Sequence, residues 1–107
     1  MTTEEQNELI SQRVKALNDA RRDALAGGLE STVETIDGLV LRYRPVPEKR
    51  QESENVDRAP MEAALADLIE SRKAVEAEGA EVRFWDELTG TIAGHGTGGV
   101  LRYQVLS

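Results

Sequence analysis

Thr32-Val33-Glu34-Thr35-Ile36-Asp37-Gly38-Leu39-Val40-Leu41-Arg42-Tyr43-Arg44 is the stretch on which the fold turns. Apolar and polar residues alternate on either side of Asp37-Gly38, the pattern of two strands joined by a tight turn. Asp-Gly suits a two-residue type I′ turn, whose central residues both need positive φ. Such a turn pairs Ile36 with Leu39 and predicts a core-facing set of Ile36, Leu39, Leu41 and Tyr43. Pro45 and Pro47 lack the N–H a strand interior needs, so they end the second strand or keep it at an edge.

Upstream, Ile10, Val14, Leu17, Ala20, Ala24 and Leu25 recur at helical spacing among Glu, Gln, Arg and Asp, which predicts an amphipathic helix from Thr3 to Ala26. Thr3 with Gln6 offers a capping box, Glu4 and Glu5 suit the positive helix end, and Gly27-Gly28 supply a left-handed stop. Toward its other end the helix carries Arg13, Lys15, Arg21 and Arg22, read as dipole matching. Downstream, the span 46–59 is polar and without period and is expected to be a mobile loop. Met61, Ala64, Leu65, Leu68, Ile69 and Val75 restore the helical period, with Pro60 in the first turn and Gly79 as the stop.

Beyond Gly79, Val82, Phe84 and Leu88 alternate with Arg83, Trp85 and Glu87, and short strands are expected again at Thr91 to Ala93 and Val100 to Leu106. Gly90 marks one turn and Gly94 to Gly99 a looser loop. The expected fold is therefore α+β: one domain over 1–107, with a helix, β-hairpin, helix core over 3–79. A C-terminal two- or three-stranded antiparallel β extension covers 80–107. Val40-Leu41-Arg42-Tyr43 recurs as Val100-Leu101-Arg102-Tyr103, each copy after a glycine-bearing turn and downstream of a helix. Duplication of a helix-plus-hairpin unit and convergence on common strand composition both produce this.

Composition narrows the functions. A net charge of -7, from 20 acidic and 13 basic residues, opposes a phosphate backbone, so direct nucleic-acid binding is not expected. Without cysteine there is no disulfide, thiolate nucleophile or zinc-thiolate site. The acidic start lacks the basic and apolar regions of a secretion signal, and no apolar run reaches membrane-spanning length, so a soluble protein without membrane contact is expected.

No constellation points to catalysis. His95, the single histidine, lies among glycines with no neighbour in sequence to orient it as a base or to complete a metal shell. Asp86 and Glu87 are adjacent in a strand and point to opposite faces, a poor geometry for a carboxylate pair. The glycine loop lacks Gly-Lys-Ser/Thr and precedes a strand rather than a helix, unlike a phosphate cradle. No catalytic, cofactor-binding or metal-ligating residue is assigned, no cofactor is expected and the chain is read as no enzyme. Surfaces are left to carry the function. One ring of the Phe84-Trp85 pair must face outward, as an interface anchor or packed beneath the first helix or the long loop. Arg42, Arg44, Trp85, His95 and Tyr103 are the candidate interface residues, with Asp37 and Gly38 at the hairpin turn.

The order helix, Asp-Gly hairpin, helix resembles the gpW-like head-tail joining proteins of tailed bacteriophages. The segment from Thr32 to Gly38 and the strand Leu39 to Arg44 carry the resemblance, which spans residues 3–79. It implies a structural protein of the virion, a homo-oligomeric ring subunit made in the host cytoplasm and acting in head completion between portal and tail proteins. The loops at Pro45 to Ala59 and Gly94 to Gly99 would then order on assembly. A second class, a small acidic cytoplasmic regulator such as an immunity protein or antitoxin on a basic partner, fits the charge as well.

Overall fold

A computed structural model describes residues 1–89 and 98–106. Helix α1, Thr3–Ala26, leads into the hairpin β1, Leu29–Glu34, and β2, Val40–Pro45. A 3-10 turn at Pro47–Lys49 and the single-turn helix α2, Arg50–Ser53, precede helix α3, Ala59–Ala77. A second hairpin, β3, Glu81–Thr89, and β4, Gly98–Leu106, completes the α+β fold. Among the described residues each hairpin is a separate two-stranded antiparallel sheet. The expected turn at Gly90, the strand at Thr91 to Ala93, His95 and most of the glycine loop lie outside the described residues.

The first helix ends where its sequence says, but its cap sits one residue earlier than expected. Glu5 N–H donates to Thr2 Oγ1 at 3.1 Å and Thr2 N–H donates to Glu5 Oε1 at 3.0 Å, a reciprocal capping box that satisfies two backbone donors. Ile10, Val14, Leu17 and Ala24 are buried along one face and meet Met61, Leu68 and Val75 of α3 in the main core cluster. Leu29 and Val33 of β1, Val82 and Phe84 of β3 and Leu101 of β4 belong to the same cluster. With this core shared by both hairpins and both long helices, none of the four elements buries its apolar face alone.

The first hairpin departs from the expected register. Glu34 pairs with Val40, Val33 with Leu41 and Ser31 with Tyr43, so five residues, Thr35 to Leu39, connect the strands in place of two. Gly38, at φ 122°, takes the left-handed position in that connection. The reason lies in the strand faces. A two-residue turn would set Leu41 opposite Glu34 and Tyr43 opposite Thr32, while the observed slip by one puts Leu29, Val33, Leu41 and Tyr43 on one face. Ile36 is thereby removed from the expected core set and stands 94% exposed at the tip, whereas Leu39 is buried and Leu41 and Tyr43 pack against the core.

The span 46–59, expected to be an irregular loop, holds the 3-10 turn and α2 instead. It is tied back to the end of α1: Val46 is buried and donates its N–H to Gly28 O at 2.8 Å, and Lys49 Nζ donates to Ala26 O at 3.2 Å. The second contact uses a helix-end carbonyl that has no partner within the helix.

Both halves of the chain follow one plan. Each long helix is left through a glycine at positive φ, Gly28 at 97° and Gly79 at 94°, and then enters a hairpin. The two Val-Leu-Arg-Tyr segments occupy the second strand of each hairpin, and their arginines make the same diagonal cross-strand ion pair. Arg42, opposite Thr32, reaches Glu34; Arg102, opposite Trp85, reaches Glu87.

Candidate protein-contact surface

One polar network inside the fold links the two hairpins through α1. Positions 6, 10, 14, 17, 21 and 24 form the buried face of α1, and Arg21 is a charged residue in the middle of it, 3% exposed. Its Nη1 donates to Asp86 Oδ1 at 2.7 Å and its Nη2 to Asp86 Oδ2 at 3.0 Å. Arg21 Nε also donates to Ser31 Oγ at 2.9 Å, and Nη2 to Ser31 O at 2.9 Å. Asp86 Oδ2 accepts a further bond from Val33 N–H at 3.0 Å. One bidentate pair thus ties α1, β1 and β3 together, with both charges desolvated and hydrogen-bonded. Gly99 lies against it: a Cβ there would come within 2.3 Å of Arg21 Nη2.

The expectation of Arg21 as a solvent-facing dipole partner is therefore corrected. The signal was present in the sequence, since an arginine at the spacing of a helix's apolar stripe must bury its head or break the stripe. Asp86, two residues beyond the inward Phe84, shares its strand face.

On the outside, large apolar side chains gather near the hairpins. Val40 is 47% exposed, Trp85 46% and Leu88 60%, and all three stand with Ile36 outside the core. The Asp37-Gly38 tip, Val33, Val40 and Trp85 enclose a concavity of 550 Å³. Of the aromatic pair, Phe84 is the inward ring and Trp85 the outward one, as strand alternation requires.

The expected interface residues fall in two places. Arg42 and Arg44 lie together on the outer face of β2, beside Leu88 in a shallow 310 Å³ depression. Neither is a free cation: Arg42 pairs with Glu34, and Arg44 Nε lies 2.8 Å from Glu30 Oε1. The hydrogen bond from Arg42 holds the Glu34 carboxyl below its ordinary range. Trp85 and Tyr103 line a different groove, between α1 and β4. His95 is outside the described residues. Tyr43, whose ring faces Arg58 at 4.6 Å, is held above its ordinary pKa mainly by burial, with the Glu62 carboxylate adding to the shift.

Among the described residues no three His, Cys, Asp or Glu side chains come together as a metal site, and no helix is long and apolar enough to cross a membrane. Asp86, the best-placed acid, has its oxygens engaged by Arg21 and Val33 and serves as a structural link. No protein-family model matches the chain, and neither does any curated protein or solved structure.

Proposed function

We propose that this protein is a non-enzymatic assembly subunit that forms rings through protein contacts, in the manner of the phage head-tail connectors whose helix, hairpin, helix order it resembles. The observation that supports this reading is Ile36. An isoleucine 94% exposed at the tip of a hairpin is costly in water and suited to insertion between neighbours. Ile36 also lines a 550 Å³ concavity with Val40 and Trp85, which extends the apolar surface of the tip along the hairpin. An apolar tip that meets a different surface of its neighbour makes a head-to-tail contact, which closes into a ring when the rotation allows.

Native mass spectrometry of the purified chain tests the reading. A closed oligomer that falls to monomer in Ile36→Asp and in Trp85→Ala supports it. A monomer at all concentrations, alone and with portal or tail proteins, overturns it, and a tight 1:1 complex with a basic protein would establish the acidic-regulator reading in its place.

A further inference from the structure

The edge of β4 is occupied unevenly along its length. At Leu101 the two outward backbone groups are taken by one side chain: Leu101 N–H donates to Asn18 Oδ1 at 2.8 Å, and Asn18 Nδ2 donates to Leu101 O at 3.1 Å. Leu101 pairs with Asp86 across the β3-β4 ladder, so this bidentate clamp identifies it as a residue whose N–H and C=O point away from β3. In an antiparallel ladder every second residue does the same. The register runs without interruption from Gly98 to Leu106, so Tyr103 and Val105 also present N–H and C=O outward. Among the described residues no side chain takes these groups as Asn18 takes those of Leu101.

Both residues face a groove of 590 Å³ between β4 and α1. Asn7, Ser11 and Lys15 line its helix side at one-turn spacing, and Trp85 and Arg102 line its sheet side. The groove runs alongside the Tyr103–Val105 edge, and a strand added there would lie at the roughly 4.8 Å spacing of a sheet. Its charge selects the segment. In a chain with 20 acidic and 13 basic residues, the groove is lined by Lys15 and Arg102 and by no aspartate or glutamate. Both cations are held only by exposed pairs, Lys15 with Asp19 at 2.8 Å and Arg102 with Glu87 at 3.2 Å, which exchange partners at little cost.

We propose that the groove between α1 and the Tyr103–Val105 edge of β4 receives an extended acidic segment of a partner protein, added as a third strand to β3-β4. The inference rests on the reading of the protein as a contact-making subunit and names the partner chemistry of one contact, separate from the Ile36 tip. Main-chain bonds to Tyr103 and Val105 supply the register, Lys15 and Arg102 favour carboxylates at alternate positions, and Trp85 offers an apolar wall.

The test uses the full chain carrying Ile36→Asp, so that peptide binding is read independently of ring formation. The probes are a blocked seven-residue peptide alternating valine and glutamate and its valine and lysine counterpart, followed by NMR titration and amide exchange. The acidic peptide is expected to protect the Tyr103 and Val105 amides and to bind at least about tenfold more tightly than the basic one, with Lys15→Glu cutting its affinity by about tenfold. Val105→Pro, which removes an outward N–H without removing a β3-β4 bond, should abolish binding while the Phe84 and Trp85 amide signals stay in place. Equal affinity for both peptides, no binding at millimolar peptide, edge amides already protected in the free protein, or a homodimer paired through β4 would each overturn the proposal. Failure here with a ring still formed by the unmodified chain leaves the assembly reading standing; peptide capture without a ring does the reverse.

Discussion

The two hairpins carry the same Val-Leu-Arg-Tyr segment in their second strands and the same diagonal Arg-Glu pair, yet one is anchored at its base and the other along much of its length. In β1-β2 the strands are six residues each, the inner face reaches the core, and the five-residue tip projects with Ile36 in water. In β3-β4 the strands are nine residues each; Arg21 grips Asp86 and Asn18 clamps Leu101, both reaching from α1. The same local sequence therefore serves two purposes, and what separates them is which helix residues face each strand. A hairpin with a free tip can present a contact; one held by buried polar bonds can fix the geometry from which contacts are presented.

The largest expected effect breaks the held hairpin. Arg21→Met should destabilise the protein by about 3–5 kcal/mol, because it leaves Asp86 buried without its cation. Urea unfolding measures this, and the double variant Arg21→Met, Asp86→Leu should recover a good part of the loss. Full recovery is not expected, since the Val33 N–H loses its acceptor. A smaller effect follows at Gly99, where alanine would press on the Arg21 guanidinium and should cost about 1–3 kcal/mol by overpacking. In the Arg21→Met background that cost should shrink, and a double-mutant cycle reads the coupling directly.

The free tip should behave in the opposite way. Ile36→Asp is expected to change stability by no more than about 0.5 kcal/mol, as at other exposed positions, while abolishing self-assembly. A substantial loss of monomer stability would instead make the tip part of the core. Smallest of all is the pH dependence of the exposed pairs. Glu34, Asp19 and Glu5 are held below their ordinary values of 4.5, 3.8 and 4.5 by hydrogen bonds from Arg42, from Lys15 and from the Thr2 backbone respectively. A lowered carboxylate stabilises the fold above its unfolded pKa, and that contribution disappears as pH falls through the folded value. The amino group of Met1 is held above 8.0 chiefly by its hydrogen bond to Glu78, so its contribution is present below that pH and lost as pH rises through the raised value. Thermal unfolding across pH should show shallow losses at both extremes; Glu78→Gln should remove the amino group's share of the alkaline loss and leave the share of Tyr43, whose pKa is also raised.

Much of the fold was legible because helix ends and strand alternation are local properties. The Thr3–Ala26 helix, the Pro60 start and Gly79 stop of the second long helix, and the split of Phe84 inward from Trp85 outward follow from spacing and turn chemistry. The register of the first hairpin did not, since Asp37-Gly38 alone favours a two-residue turn. Only the joint pattern of Leu29, Val33, Leu41 and Tyr43 against a core decides otherwise. The placement of the expected interface residues was not legible from spacing: Trp85 and Tyr103 line one groove, Arg42 and Arg44 lie on a different face, and the Asn18 clamp had no signature because asparagine on a helix face carries no signal until a strand edge lies beside it.

The sequence by itself determined the order of elements, the caps and stops, the acidic charge and the apolar stripe of each helix, because these depend on residues within a few positions of one another. The tertiary structure alone decided that Arg21 meets Asp86, 65 residues away, that Ile36 is left outside, and that the β4 edge runs beside α1 with Asn18 clamped on Leu101. Each of these is a choice among surfaces that local sequence leaves equivalent, and it is settled only when distant elements compete to bury the same apolar faces.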